Sequence, residues 1–167
     1  MRRVAFLCRM HSIRKILFSL TVCVLAACSP EIHPSGVEVE NTWAAGRQIQ
    51  AYLDGNKLSD ESTTSSGLVY LIEEPGSSEH PSLSDDITIH YTGYLVNGQV
   101  FDQTTGEPRT FPLSGLIGAW QEAIPMIGRG GRIKILAPPS TAYGSSPPGG
   151  GITASSVLVF DIELVDF

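Results

Sequence analysis

Hydrophobic and polar residues alternate with a period of two through the second half of the chain. Near the C-terminus, Leu158, Phe160, Ile162 and Leu164 fall on one face of an extended segment, and Val157, Val159, Asp161 and Glu163 on the other. Ile87, Ile89 and Tyr91 alternate in the same way with Thr88, His90 and Thr92. Successive side chains of a strand point to opposite faces, so both segments predict strands with one apolar face. Leu68-Val69-Tyr70-Leu71-Ile72 is a β-prone run that stops at the turn signal Pro75-Gly76, and Gly131 to Ala137 reads as a further strand. Asn97-Gly98 is a strong two-residue hairpin signal. One short helical piece, Gly118 to Ile124, interrupts these strands. The sum is an α+β fold, an antiparallel β-sheet with a short α-helix packed across one face. About 100 residues suffices for such a core.

The segments before Leu68 follow other patterns. Ala45, Ile49, Tyr52 and Leu53 recur at helical spacing, so 41–53 predicts a short N-terminal helix capped by Asn41 or Thr42 and stopped by Gly55-Asn56. The Ser/Thr-rich stretch 59–66 reads as a linker. Residues 28–40 hold two prolines and few large apolar side chains, which predicts a flexible tether reaching about 20 Å. The first 27 residues differ again. Arg2, Arg3, Arg9, Arg14 and Lys15 precede a mainly apolar run from Ile16 to Ala27. A basic region before a short apolar region is the pattern of a secretory signal.

That run ends Leu25-Ala26-Ala27-Cys28, which resembles the bacterial lipobox, where a cysteine after the cut is acylated and becomes the first residue. The competing reading is an ordinary signal peptide with an incidental cysteine. Cys8 and Cys23 lie within the signal, so Cys28 would be the one thiol left, without a partner for an internal disulfide. Cleavage also changes the charge. The full chain carries −6; without the five basic leader residues, six Lys and Arg face all 17 Asp and Glu, a net of −11. Such a charge argues against nucleic acid or an anionic lipid surface as partner.

Most catalytic constellations are absent. There is no CxxC, GxSxG, phosphate loop or HExxH. His33, His80 and His90 lack metal-ligand spacing with one another. Gly128-Arg129-Gly130-Gly131 leads into a strand and not a helix, so it reads as a tight turn and not a phosphate cradle. No metal or cofactor is expected. What stands out is a concentration of aromatics, Tyr91, Tyr94, Phe101, Phe111, Trp120, Tyr143 and Phe160.

These aromatics lie in motifs that carry a resemblance. His90-Tyr91-Thr92-Gly93-Tyr94-Leu95, Asn97-Gly98 and Val100-Phe101-Asp102 are similar to the HYTG…G…FD block of the FKBP family. Phe111-Pro112-Leu113 with Leu116-Ile117-Gly118-Ala119-Trp120-Gln121-Glu122-Ala123 resembles its FxL…VIxGWxEGL. Gly131-Arg132-Ile133-Lys134-Ile135 with Ala142-Tyr143-Gly144, and Leu158 to Leu164, resemble its later motifs. The resemblance spans 66–167, in order and with compatible spacing.

The resemblance implies a sheet wrapped around one short helix and a peptidyl-prolyl cis–trans isomerase acting on exported proteins. It implies a pocket with Trp120 as floor and Tyr91, Phe101, Phe111 and Phe160 as walls. Leu116 and Ile117 would form a rim, and Ile152 and Tyr143 a flap. Asp102 would be the carboxylate beside the pocket, and the Ile117 N–H would take a substrate carbonyl. Phe101, Asp102, Trp120 and Tyr143 are the expected catalytic residues; Tyr91, Phe111, Leu116, Ile117, Ile152 and Phe160 the expected substrate-binding ones. Partners would be proline-containing unfolded or partly folded polypeptides, with macrolide immunosuppressant-type ligands as a further class. Arg109 departs from the pattern, standing where many members place an aromatic wall. The Thr153-Ala154-Ser155-Ser156 run departs in the flap loop. With Cys28 acylated, the protein would sit in the cell envelope, on the outer membrane facing the periplasm, as a monomer. The rival readings are a chaperone using the same pocket with little turnover, and a structural envelope lipoprotein.

Overall fold

The computed structural model describes the chain from Gly36 to Phe167, with side chains from Trp43 onward. The expected signal peptide, Cys28 and most of the tether lie outside the described residues. Two helices, α1 (Gly36–Asn56) and α2 (Gly118–Ala123), accompany seven strands. These are β1 (Ser62–Thr63), β2 (Val69–Glu74), β3 (Asp86–Leu95), β4 (Val100–Gln103), β5 (Arg109–Pro112), β6 (Gly131–Ala137) and β7 (Leu158–Asp166). All pair antiparallel in one sheet of order β1-β2-β6-β7-β3-β4, with β5 also on β3.

β3 and β7 are the long central strands, and their registry carries the alternation into three dimensions. Tyr91 faces Ile162, Ile89 faces Leu164, and Gly93 faces Phe160. One face therefore collects Ile87, Ile89, Tyr91, Ile133, Ile135, Leu158, Phe160, Ile162 and Leu164, all buried, and α2 packs Ala119, Trp120 and Ala123 against it. β3 pairs with β7 along one side, and with β5 and then β4 along the other. The Asn97-Gly98 turn joins β3 to β4, but through a three-residue loop, Val96 to Gly98, and not the expected two-residue one: Leu95 donates to the Gln99 carbonyl at 2.9 Å, and Gly98, at φ 87°, donates to the Leu95 carbonyl at 2.8 Å.

The opposite face holds a second core, where the apolar stripe of the N-terminal helix docks. Ala45, Ile49 and Leu53, one turn apart on α1, pack on Val69, Leu136, Val157 and Val159. Val157 and Val159 thus belong to the strand face that also carries Asp161 and Glu163. Helix α1 covers only part of that face. At the seam, Tyr94 donates to Asp161 at 3.0 Å, meets the Tyr52 hydroxyl at 3.0 Å, and accepts from Lys134 at 3.2 Å, while Lys134 also pairs with Asp161. Burial among these oxygens pushes the Tyr94 phenol well up.

Two boundaries differ from expectation. Helix α1 has 21 residues and begins inside the segment expected to be tether. Gly36, Val37 and Val39 are poor helix formers, which favoured the tether reading. No proline lies between Pro34 and the end of α1 at Asn56, however, and extending a formed helix costs far less than nucleating one. The expected linker contains β1, whose two exposed residues pair with Val69 and Tyr70. The glycine run 128–131 is the tight turn that was expected. A side chain on Gly76 would strike the carbonyl of Gly128 and approach the amide of Gly131 to 2.6 Å, so two loops touch backbone to backbone there.

Ile49→Ala should cost about 2 kcal/mol in chemical denaturation, the low end for a truncated core residue because Ile49 sits in the smaller cluster. Amide exchange should rise in α1 before it rises in β3.

Candidate functional site

On the α2 side of the sheet, five aromatic rings form a continuous chain of contacts. Phe111 meets Tyr91 at 6.4 Å between ring centres and 66°. Tyr91 meets Trp120 at 5.0 Å and 77°. Trp120 meets Phe160 at 5.3 Å and 85°, and Phe160 meets Phe101 at 5.6 Å and 90°. Each is an edge-to-face or tilted arrangement, favoured by the ring quadrupoles by about 0.5–1.5 kcal/mol per pair. The rings come from β3, β4, β5, β7 and α2, so the chain knits the sheet to its helix. Because α2 is only six residues long, packing and not helix propensity holds Trp120 in place.

The rings enclose a cavity of about 150 Å³, lined by Tyr91, Phe101, Asp102, Phe111, Leu116, Ile117, Trp120, Tyr143 and Phe160. Its rim is fixed by Gln121, whose side-chain amide donates to the carbonyls of Leu116 at 2.7 Å and Ser114 at 3.1 Å. The Ile117 carbonyl accepts the first α2 bonds, from Trp120 at 2.9 Å and Gln121 at 3.2 Å. Among the described residues nothing accepts from the Ile117 N–H or the Tyr143 hydroxyl. The Trp120 indole N–H is buried without an acceptor as well.

One wall is polar. The Tyr91 hydroxyl donates to Asp102 Oδ2 at 2.5 Å. Asp102 Oδ1 accepts the Gln103 N–H at 2.9 Å and lies 3.7 Å from Arg109. Arg109 Nη1 also reaches the Tyr91 hydroxyl at 3.4 Å. Burial, and then the Asp102 carboxylate, push the Tyr91 phenol up to about 12. Burial and the same carboxylate push Tyr143 up as well. Both therefore stay protonated, as hydrogen-bond donors, across the neutral range.

Gly93 explains how two of the rings fit. It faces Asp102 on β4 and Phe160 on β7. A Cβ there would stand 2.8 Å from the Phe101 ring and 2.9 Å from the Phe160 ring, so only glycine lets both lie against the strand.

A family model described as FKBP-type peptidyl-prolyl cis-trans isomerase matches residues 77–165. The chain belongs to the FKBP family. A relative from Escherichia coli strain K12, FKBP-type peptidyl-prolyl cis-trans isomerase FkpA, is 45% identical over 106 residues, covering 62% of this chain and 39% of that protein. A probable FKBP-type isomerase of Haemophilus influenzae is 38% identical over 112 residues, covering 66% of this chain and 46% of that protein. The chain thus spans less than half the length of these relatives. The crystal structure of FkpA from Escherichia coli matches with a TM-score of 0.66 at 38% identity, over 79% of this chain and 62% of that one. A peptidyl-prolyl cis-trans isomerase from Pseudomonas syringae matches at 0.63 and 29%, over 74% and 93%.

Within this FKBP domain the fold gathers nine of the ten expected pocket residues around one cavity. Ile152 is the exception. It does not line the cavity; it is buried in the main core, where its loop turns back through an Ile152 N–H bond to the Gly149 carbonyl at 3.1 Å. An apolar side chain in a glycine-rich loop gains more by burial than by standing at a mouth. Of the expected flap, Tyr143 alone lines the cavity. The sequence assigned no role to Gln121 or Gly93, and marked Arg109 as a departure at a wall position. The alternation along β5 agrees with that position, since Arg109 shares a face with Phe111. His90 lies on the outer face, its Nδ1 3.4 Å from Thr104 Oγ1.

Gly93→Ala should destabilise the domain by roughly 1–3 kcal/mol through overpacking, and a crystal structure should show the Phe101 and Phe160 rings displaced into the cavity. Tyr91→Phe should cost about 1 kcal/mol, one hydrogen bond, because the freed Asp102 is half exposed and regains water.

Proposed function

We propose that the chain catalyses cis–trans isomerisation of X-Pro bonds in exported polypeptides and so assists folding in the cell envelope. The observation that carries this reading is a small aromatic cavity with unengaged donors at its rim. Its volume of about 150 Å³ suits one small ring, below the roughly 300–1,000 Å³ of drug-sized sites. A proline ring is such a group. A macrolide-type ligand would enter with one small moiety and lie mostly outside.

Rotation about the amide faces a barrier of ~18–20 kcal/mol and breaks no covalent bond. The planar amide is polarised by resonance, and the twisted one is less so. Water stabilises the polarised form; the rings of Tyr91, Phe101, Phe111, Trp120 and Phe160 do not. Excluding water therefore favours the twisted form selectively. A rate gain of ~10⁴ requires about 5.5 kcal/mol. The Ile117 N–H and the Tyr143 hydroxyl are the donors that would hold flanking carbonyls while the bond turns. Asp102, occupied by Tyr91 and the Gln103 amide, acts by orienting Tyr91 and not as a base.

The test is a prolyl isomerisation assay on the full chain in mild detergent. Trp120→Ala should abolish turnover and destabilise the fold by ~3–5 kcal/mol. Tyr143→Phe should lower kcat/KM by roughly threefold to tenfold, one hydrogen bond. Binding of a Pro peptide without faster isomerisation would favour the chaperone reading instead. With the Tyr91 phenol at about 12 and Tyr143 raised, the rate should stay flat from about pH 6 to 8 and lose nothing to these phenols below their ordinary value of 10.0. His90→Ala should retain activity. A bell-shaped profile would point to acid–base chemistry and against this mechanism.

The same proposal places the protein on the outer membrane, facing the periplasm, through acylated Cys28. It rests on the basic and apolar leader ending at that cysteine. Mass spectrometry of the parent against Cys28→Ala tests it, and an unlipidated parent would refute it. A monomer fits α1, which spends its Ala45-Ile49-Leu53 stripe on its own sheet.

A further inference from the structure

The polar wall of the cavity is asymmetric in its unused hydrogen-bonding capacity. Asp102 has both oxygens engaged within the protein, by Tyr91 at 2.5 Å and by the Gln103 amide at 2.9 Å. Arg109 carries five N–H donors in a planar fork. Among the described residues, only Nη1 finds an acceptor, the Tyr91 hydroxyl at a long 3.4 Å. Its nearest contact to Asp102 is 3.7 Å, an ion-pair distance and not a hydrogen bond. Half of the side chain stays exposed. Arg109 and Phe111 are two residues apart on β5, so both project toward the cavity side of the strand.

We propose that Arg109 is a specificity-determining residue of the cavity, selecting proline segments that carry a carboxylate, Asp or Glu, next to the proline. This rests on the isomerase reading above. A carboxylate arriving at the mouth meets a guanidinium with Nε and Nη2 donors unspent, and planar carboxylates pair well with that fork. A lysine ammonium arriving at the same place meets a like charge, and Asp102 beside it, with part of its acceptor capacity already taken by Tyr91 and the Gln103 amide, offsets that repulsion only in part. The chain as a whole carries −6, so a long-range field would not attract acidic segments; the selection acts at contact. Because the pair forms with the planar and the twisted amide alike, it acts on KM and leaves kcat nearly unchanged.

The test uses the full chain in detergent and two peptide sets, with Glu, Leu or Lys placed either just before or just after proline. In at least one set, kcat/KM for Glu should exceed that for Lys by roughly threefold to fivefold, the range of one exposed ion pair, with the difference in KM. Arg109→Leu should bring that ratio to one or below, since Asp102 remains. Arg109→Lys should keep its direction, and Arg109→Glu should invert it. Raising salt to about 1 M should erase it in the unmodified protein. Each ratio is taken within one variant, so a smaller folded fraction cancels. Calorimetric binding of the same peptides reads the selectivity without turnover. No acceleration of the Leu peptides by the unmodified protein would refute the isomerase reading. Acceleration with the same Glu-to-Lys ratio in the unmodified protein and Arg109→Leu, in both sets, would overturn the role of Arg109.

Discussion

The edge-to-face contacts of Trp120 with Tyr91 and Phe160 hold the domain and its cavity together in one arrangement. Helix α2 is too short to persist alone, and its indole ring is what the sheet grips. The same rings that bury the helix leave a gap that none of them fills, because rings meeting at angles near 77° and 85° cannot close over one another. The cavity is therefore a product of the packing geometry itself. It lies between side chains drawn from five separate elements, and so it exists only when the whole sheet has formed.

Two constraints at the backbone level keep that gap open. Gly93 removes a side chain where Phe101 and Phe160 need to lie against the strand. Gln121 reaches back to the carbonyls ahead of α2 and fixes the loop that presents the Ile117 amide. Neither residue touches the cavity through a reactive group. Both act by deciding where their neighbours stand, which is what a site without covalent chemistry requires.

Much of this was legible in the sequence, and the reason is periodicity. Leu158 to Leu164 and Ile87 to Tyr91 alternate cleanly, so their strands and buried faces followed directly. Pocket membership followed from motif order for nine residues. Ile152 failed because motif position says nothing about which way a loop side chain turns, and burial decided it. The start of α1 failed because low propensity at Gly36, Val37 and Val39 is a local signal, whereas helix extension is cooperative. The sheet side of the second core was hidden because Val157 and Val159 share a face with Asp161 and Glu163. Only the docking of α1 over part of that face shows why it is half apolar.

The seam between α1 and the sheet has a practical consequence for handling the protein. The described residues contain two lysines, Lys57 and Lys134. Lys134 is held by Asp161 and the Tyr94 hydroxyl, with only 15% of its side chain accessible. Lys57 stands exposed just beyond the end of α1. Amine-directed dyes and surface-coupling reagents should therefore attach at Lys57 rather than Lys134. Lys57 is not among the residues lining the cavity, so a fluorophore or bead placed there leaves the aromatic walls unmodified.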